Sequence, residues 1–292
     1  MLSTRVQFLQ EEELQAIHRL SIRLLEEVGV EISVERARDI YAESGARVDG
    51  SRVRLPGALI EECVRRAPAE FTIHARNPHK SVRVGGDHTV FAPGYGAPFL
   101  MAYKEGQRHA SLEDYDNLVR LADALPELDL SGHLIVEPHG LPAGTAHLHM
   151  LRSHMRLSDK PFIGSSDGRR GATASLEMAG ILFGGQERLR NHPVMISLIN
   201  TLSPLSFAAE MLEALMLFAE WGQPVVVASM AQAGATAPVT LAGMLVQQNA
   251  EILAGITLAQ LINPGTPVVY GSTSTIMDMN TAAAAIGSPE YS

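Results

Sequence analysis

The chain has 292 residues, 46% hydrophobic and 19% charged, with a formal net charge of −9. This composition excludes intrinsic disorder and points to one large or two small domains with extensive buried surface. From residue 191 onward there is no Lys or Arg against six acids, which argues against nucleic-acid binding, because that needs clustered cations to displace counterions. The single cysteine, Cys63, forms no internal disulfide and fits a reducing compartment. The first residues, MLSTRVQFLQEEEL, lack the apolar core of a signal peptide. The longest apolar stretch, Leu241 to Ile262, is interrupted by Gln247, Gln248, Asn249 and Glu251 and is too polar for a membrane span. A soluble cytoplasmic protein without nucleic-acid or membrane partners is expected.

The elements follow from periodicity. Apolar residues at Leu14, Ile17, Leu20, Leu24, Leu25 and Val28 predict a helix from Glu11, stopped at Gly29. A second helix is expected over 34–44, ending at Gly45. A third covers 56–67, with Pro56 in its first turn. Short β-like runs follow at 71–75, 82–84, 89–92 and 99–103, separated by turn signals at Gly85-Gly86-Asp87 and Gly94-Tyr95-Gly96. Residues 1–87 therefore read as a helical region with a small β patch.

Alternation takes over in 88–292. Ser111 to Asp114 resembles a capping box for a helix to about 124. Strands are expected at 130–136, 161–165, 194–199, 225–229 and 268–271. Helices alternate with them at 143–157, 172–183, 205–221 and 240–262. Strands rich in Val and Ile, apolar throughout and separated by helices, imply a parallel sheet covered by helices. The α/β class is then a (β/α)₈ TIM barrel or a doubly wound sheet. Five or six strands fall short of a barrel's eight, and Ser288-Pro289-Glu290 reads as a helix start. The sequence thus suggests a barrel incomplete at its C-terminus, one that exposes sheet edges and does not fold well alone.

Barrel chemistry gathers where strands end. This rule selects Glu137, His139 and Asp167 as candidate catalytic groups and Asn200, Met230, Tyr270 and Ser272 as substrate contacts; Asp278 lies further along. Ser203, before Pro204, reads as a helix cap. His147 and His154 share a helical face about two turns apart, roughly 10.5 Å, too far for one metal ion, so they read as helix-surface residues and no metal site is expected. Gly164 to Gly171, with Arg169 and Arg170, reads as a capped turn that could hold an anion. No dinucleotide or phosphate-loop pattern occurs.

Several runs, taken in order, carry a resemblance. They are Leu202-Ser203-Pro204-Leu205, Ser229-Met230-Ala231 with Gly234 and Ala237-Pro238, Leu241-Ala242-Gly243 and Asn249 to Gly255. Leu258 to Leu261, Pro264-Gly265, Val269 to Ser272 and Gly287 to Glu290 complete the block. With Glu13 to His18 and Glu26 to Val30 at the start, the chain closely resembles the trimethylamine methyltransferase family over essentially its whole length. The resemblance implies a (β/α)₈ barrel that moves a methyl group from a methylated amine, such as trimethylamine or glycine betaine, to the cobalt of a cognate corrinoid protein. It implies no tightly bound cofactor of the chain's own. A full-length protein is expected to be a homo-oligomer.

A barrel mouth poor in Lys and Arg suits a methylammonium. Tyr95 or Tyr270 can supply cation–π contact. Glu137, Asp167 and Asp278 can balance the charge, and Asn200 or Ser272 can orient a carboxylate. Two other readings stay open: a metal-dependent barrel lyase or hydrolase using Glu137, His139 and Asp167, and a truncated binder of the corrinoid protein without turnover.

Overall fold

The structure, a computed structural model, describes residues 7–142, 144–190 and 192–288. The N-terminal helices form where the apolar spacing puts them: α1 (Glu11–Glu27), α2 (Glu35–Glu43) and α3 (Gly57–Arg66). Pro56 is the N-cap of α3 rather than a first-turn residue. Three strands of three residues each, Val30–Ile32, Arg47–Asp49 and Arg52–Arg54, form a sheet among these helices. Elements this short leave no readable period in a sequence.

The later helices are α4 (Leu112–Ala124), α5 (Ala146–Leu157), α6 (Gly168–Phe183), α7 (Ala209–Glu220) and α8 (Leu241–Ile262). The Ser111 capping box is present. Ala143, expected to open α5, lies outside the described residues, as do Pro289 and Glu290 of the expected terminal helix start. The helix α7 starts four residues later than expected, because Ser206–Phe207 is drawn into a parallel pairing with Glu31 and Ile32. No described helix is long and apolar enough to cross a membrane.

Four parallel strands form the central sheet, in the order Val268–Ser272, Val225–Ser229, Met195–Asn200, Phe162–Gly164. Both faces are covered, as apolar-throughout strands require. Phe162, Met195, Ile199, Val225 and Val227 share the main core cluster with helix residues such as Leu215 and Ile252. The alternate residues Ile163, Ile196, Val226 and Val269 pack against Ile73, Val82 and Leu130. Ile73 and Val82 come from the antiparallel pair Glu70–Ile73 and Val82–Gly85, so the N-terminal region closes the inner face. On that face Gly271 is a close approach: an added Cβ would lie 2.7 Å from Val226 Cγ1 and 3.0 Å from Ala228 Cβ.

Two expected strands are absent. Residues 89–92 are irregular. Residues 130–136 run beside the Phe162–Gly164 strand, with Ser131 N donating to Pro161 O at 2.9 Å and Ile163 N to Gly132 O at 3.0 Å. Gly132, at φ +92°, then breaks the ladder, a conformation that a residue with a Cβ resists. The apolar run is right, but its glycine turns it out of register.

The N-terminal region is continuous with the rest. Tyr41 Oη donates to Ala254 O at 2.8 Å and Ser21 Oγ to Val246 O at 2.9 Å, both on α8. Leu25, Tyr41 and Ile60 belong to the same buried cluster as Val227 and Ile252. The expected boundary at 87/88 therefore does not coincide with a gap in packing.

One acid organises the strand ends. Glu251, fully buried on α8, accepts at Oε2 from Thr201 Oγ1 (2.6 Å), Ser203 Oγ (2.8 Å) and Ser229 Oγ (2.8 Å). At Oε1 it accepts from Leu205 N (2.9 Å) and Gln247 Nε2 (3.0 Å). Ser203 is thus a donor to Glu251 and not the cap of α7, whose N-cap is Ala208. Replacing Glu251 by Ala strands five donors, three of them on buried residues, so Glu251→Ala is expected to destabilise the fold by about 3 kcal/mol or more. Glu251→Gln, which keeps Oε1 and can donate to hydroxyls, should lose clearly less. Urea unfolding of both variants checks the order, and equal losses would contradict the role assigned to the carboxylate.

Candidate functional site

The inner face of the sheet borders a cavity of about 270 Å³, lined by Ile73, Val90, Leu130, Ile196, Val269 and Tyr95, among others. Strand alternation continues this face upward from Leu198 to Asn200 and from Val226 through Ala228 to Met230. Asn200 is half-buried and Met230 is 49% exposed. Small residues at Ala228 and Gly271 leave room between them. Tyr95 stands in an irregular stretch between Gly94 and Gly96 and is 40% exposed. Burial pushes its phenol up from the ordinary value, a hydrogen bond with Ser166 opposes this, and the charge of Asp167 adds to it.

The expected catalytic groups do not converge. Asp167 is the N-cap residue of α6 but makes no capping bond; its Oδ2 lies 4.0 Å from His147 Nδ1. Glu137 is exposed, its backbone N–H donating to Ala97 O at 2.9 Å. His139 is exposed and its ring packs on His109, with centroids 3.9 Å apart, while His109 lies 5.1 Å from Phe99. Among the described residues no three His, Cys, Asp or Glu side chains stand close enough to hold a metal ion. The metal-dependent lyase or hydrolase reading therefore finds no geometric support.

Tyr270 and Ser272 point away from the cavity. They have the opposite parity to Val269 and Gly271 and lie beside α8, where Ser272 Oγ donates to Gln248 Oε1 at 2.8 Å and Tyr270 hydrogen-bonds the Gln248 side chain. A one-residue shift along a strand exchanges the two faces, so strand-end position alone does not identify the mouth. Asp278 is occupied by its own turn, accepting from Asn280 N and Thr281 Oγ1, each at 2.9 Å. These bonds hold its carboxyl below the usual carboxylate range.

The polar groups that do gather are His147 and His154, expected on a helix surface, with His133, which the sequence reading did not single out. His147 and His154 share one face of α5, and that face is buried: they are 5% and 2% exposed, and His133 is 3% exposed. Tyr115 Oη donates to the His133 carbonyl and lies 2.7 Å from His154 Nε2. His154 Nδ1 lies 3.0 Å from Ser131 Oγ, which also donates to Pro161 O at 3.3 Å, and His154 Nε2 lies 3.3 Å from the His133 carbonyl oxygen. His133 Nδ1 and His147 Nε2 have no partner. The i, i+7 spacing was the available signal; which face was buried was not.

Burial is the largest cause holding all three imidazoles neutral. His133 is lowered to about 3 by burial, with the neighbouring His154 and His147 adding to it. His154 is lowered to about 4 by burial, opposed by its bond to the His133 carbonyl and by Asp116. His147 is lowered by burial, with Asp167 opposing and Arg170 adding. Unfolded histidine titrates near 6.5. Below that pH the unfolded chain therefore takes up protons that the folded chain refuses. The stability from these groups is complete above about pH 6.5 and declines as pH falls toward 4, by about 1.4 kcal/mol per pH unit for each histidine at most. Urea unfolding at pH 7, 6 and 5 should show this decline; a flat profile would contradict it.

Comparison with known proteins places these features. The family model described as trimethylamine methyltransferase matches residues 2–292. A glycine betaine methyltransferase of Desulfitobacterium hafniense (strain Y51) is 49% identical, covering 97% of this chain and 59% of the relative. A proline betaine:corrinoid methyltransferase of Eubacterium limosum is 32% identical over 97% of this chain and 60% of the relative. The chain spans about three fifths of the length of these relatives. The crystal structure of the Methanosarcina barkeri monomethylamine methyltransferase superposes with a TM-score of 0.58 at 11% identity, covering 91% of this chain and 54% of that one. This likeness shows a shared mixed α/β fold.

Proposed function

The chain belongs to the trimethylamine methyltransferase family, and on that premise we propose that it serves transfer of a methyl group from a methylated amine to the cobalt of a separate, cognate corrinoid protein. The observation that carries this reading is the 49% identity, over 97% of this chain, to a glycine betaine enzyme, which favours a betaine-type quaternary amine as substrate. In this reading the parallel sheet, with its helices outside and its cavity inside, is part of a (β/α)₈ barrel contributed by residues 88–292. Residues 1–87 supply the helical region and β patch packed on it.

The chemistry fits the mouth. Methyl transfer to a reduced cobalt is an in-line displacement, so the protein's task is to orient the methyl group and balance charge. A quaternary ammonium leaves as a neutral amine and needs no general acid, whereas trimethylamine must first be protonated or held as an adduct. The half-exposed Tyr95 ring offers its face to the cation, and Asp167 supplies the counter-charge beside it. Asn200 and Met230 border the substrate from the strand ends. Glu137 and His139, on the exposed rim beside His109, are assigned to the periphery of the site. Tyr270 and Ser272 are given no substrate contact, because both engage Gln248 on the helix side.

A full-length protein carrying this chain, supplied with its reduced corrinoid protein, should produce methyl–cobalt absorbance with a methylated amine. Absence of signal with trimethylamine, glycine betaine, carnitine and proline betaine would overturn the proposal; retained capture of the corrinoid protein would then favour a binder without turnover. Tyr95→Ala should weaken binding of a quaternary amine by about 5- to 30-fold, the loss of a cation–π contact worth about 1–2 kcal/mol. Tyr95→Phe should keep most of the affinity. Titration calorimetry separates the two.

A further inference from the structure

We infer that the stacked imidazoles of His74 and His192 form a proton-operated latch, which holds the antiparallel pair Glu70–Ile73 and Val82–Gly85 over the cavity face of the sheet and releases it in mild acid. The two rings lie 4.0 Å apart between centroids and 13° from parallel. His74, half-buried, follows directly on the strand Glu70–Ile73, and His192, exposed, sits in the loop before the strand Met195–Asn200. A backbone bond accompanies the stack, His74 N donating to Pro193 O at 2.7 Å. The loop side is fixed. Gln223, fully buried, donates to Leu189 O at 2.6 Å and His192 O at 3.1 Å, and it accepts from Val194 N at 3.0 Å. The β-pair is therefore the side that can move.

Space beside the stack permits that movement. A cavity of about 370 Å³ is lined by Phe71, Thr72, His74, Pro193, Gly222 and Pro267, among others, so the strand Glu70–Ile73 stands off from the beginnings of the parallel strands. Ile73 and Val84 line the 270 Å³ cavity together with Tyr95, and release of the pair takes away part of that cavity's wall. Charge supplies the trigger. One proton is tolerated, because an imidazolium over a neutral ring is a cation–π pair. A second proton sets like charges on rings 4.0 Å apart, and separating the rings relieves the repulsion. Burial first, and then the charge of His192, hold His74 below the ordinary histidine value. A released imidazole titrates near 6.5. Below that pH the open form takes up protons that the closed form refuses, so closure is complete above about pH 6.5 and weakens as pH falls. The charged groups on the surrounding elements are engaged elsewhere. Arg76 donates to Met155 O and Ser158 O, Arg83 pairs with Glu70, and Glu220 pairs with Arg36. Arg190 pairs with Glu187 and lies over the Trp221 ring, and Arg188 lies beside Gly184. The turns at 222–224 and 263–267 carry no charged residue.

The test is hydrogen exchange of a full-length protein carrying this chain, read by mass spectrometry at pH 7 and pH 5.5 and corrected for the intrinsic exchange rate. Protection of segments 70–73 and 82–85 should fall by about tenfold at the lower pH, while that of Met195–Asn200 changes less than about twofold. His192→Phe keeps a stacking ring without a titrating nitrogen and should retain the pH 7 protection at both values. His192→Ala removes the ring and should show the low protection at both. Protection that does not change with pH, a loss that persists undiminished in His192→Phe, or a loss equal across all segments would overturn the inference. None of these outcomes bears on the methylated-amine reading, which the methyl–cobalt assay decides.

Discussion

The arrangement of the strand ends depends on one buried carboxylate. Glu251 takes five donors from three places along the chain: the segment after Asn200 (Thr201, Ser203 and the Leu205 backbone), the end of the Val225–Ser229 strand and its own helix at Gln247. Each buried polar group needs partners, and five hydrogen bonds offset the cost of burying this carboxyl group. The consequence is geometric. α8 is locked against two adjacent strands at the end where the sheet opens, and Asn200 and Met230 inherit their positions from that lock.

The same helix carries the N-terminal region. Tyr41 and Ser21 donate to its backbone carbonyls, and α1 to α3 complete the apolar cluster on its far side. The region also contributes Ile73 and Val82 to the opposite face of the sheet. Residues 7–87 thus back α8 on its far side and close the cavity face of the sheet. They do so with short elements whose stability comes from the core they join.

The two faces of the sheet divide the labour. One is an apolar contact with helices, carrying the Ser and Thr hydroxyls that bind Glu251 and the Ser272–Gln248 pair. The other borders the cavity and ends in small or uncharged residues. The cavity's lining is apolar apart from Tyr95 and Ser197, and the charge of Asp167 acts on Tyr95. Beside this face, burial keeps His133, His147 and His154 uncharged.

The sequence by itself determined the α/β class, α1 to α4, the long α8 and the strands at Met195–Asn200, Val225–Ser229 and Val268–Ser272, because apolar periodicity is a local property. Its family resemblance, carried by the runs between 202 and 290, is borne out by the match over residues 2–292. Only the tertiary structure decided the rest. The three-residue strands near the N-terminus exist through their partners. Residues 130–136 lose their ladder at one glycine. Tyr270 and Ser272 fall on the helix face while Asn200 and Met230 reach the mouth, a difference of one residue in strand register. His147 and His154 share a helical face in either view, but whether that face meets solvent or core depends on Tyr115, Ser131 and His133, which arrive from elsewhere in the chain. Glu251 is the plainest case. In sequence it is a charge that interrupts an apolar run; in the fold it is a buried acceptor, because three hydroxyls, an amide and a backbone N–H converge on it. Periodicity records which residues are buried along one element, and it carries no record of which distant donors will meet there.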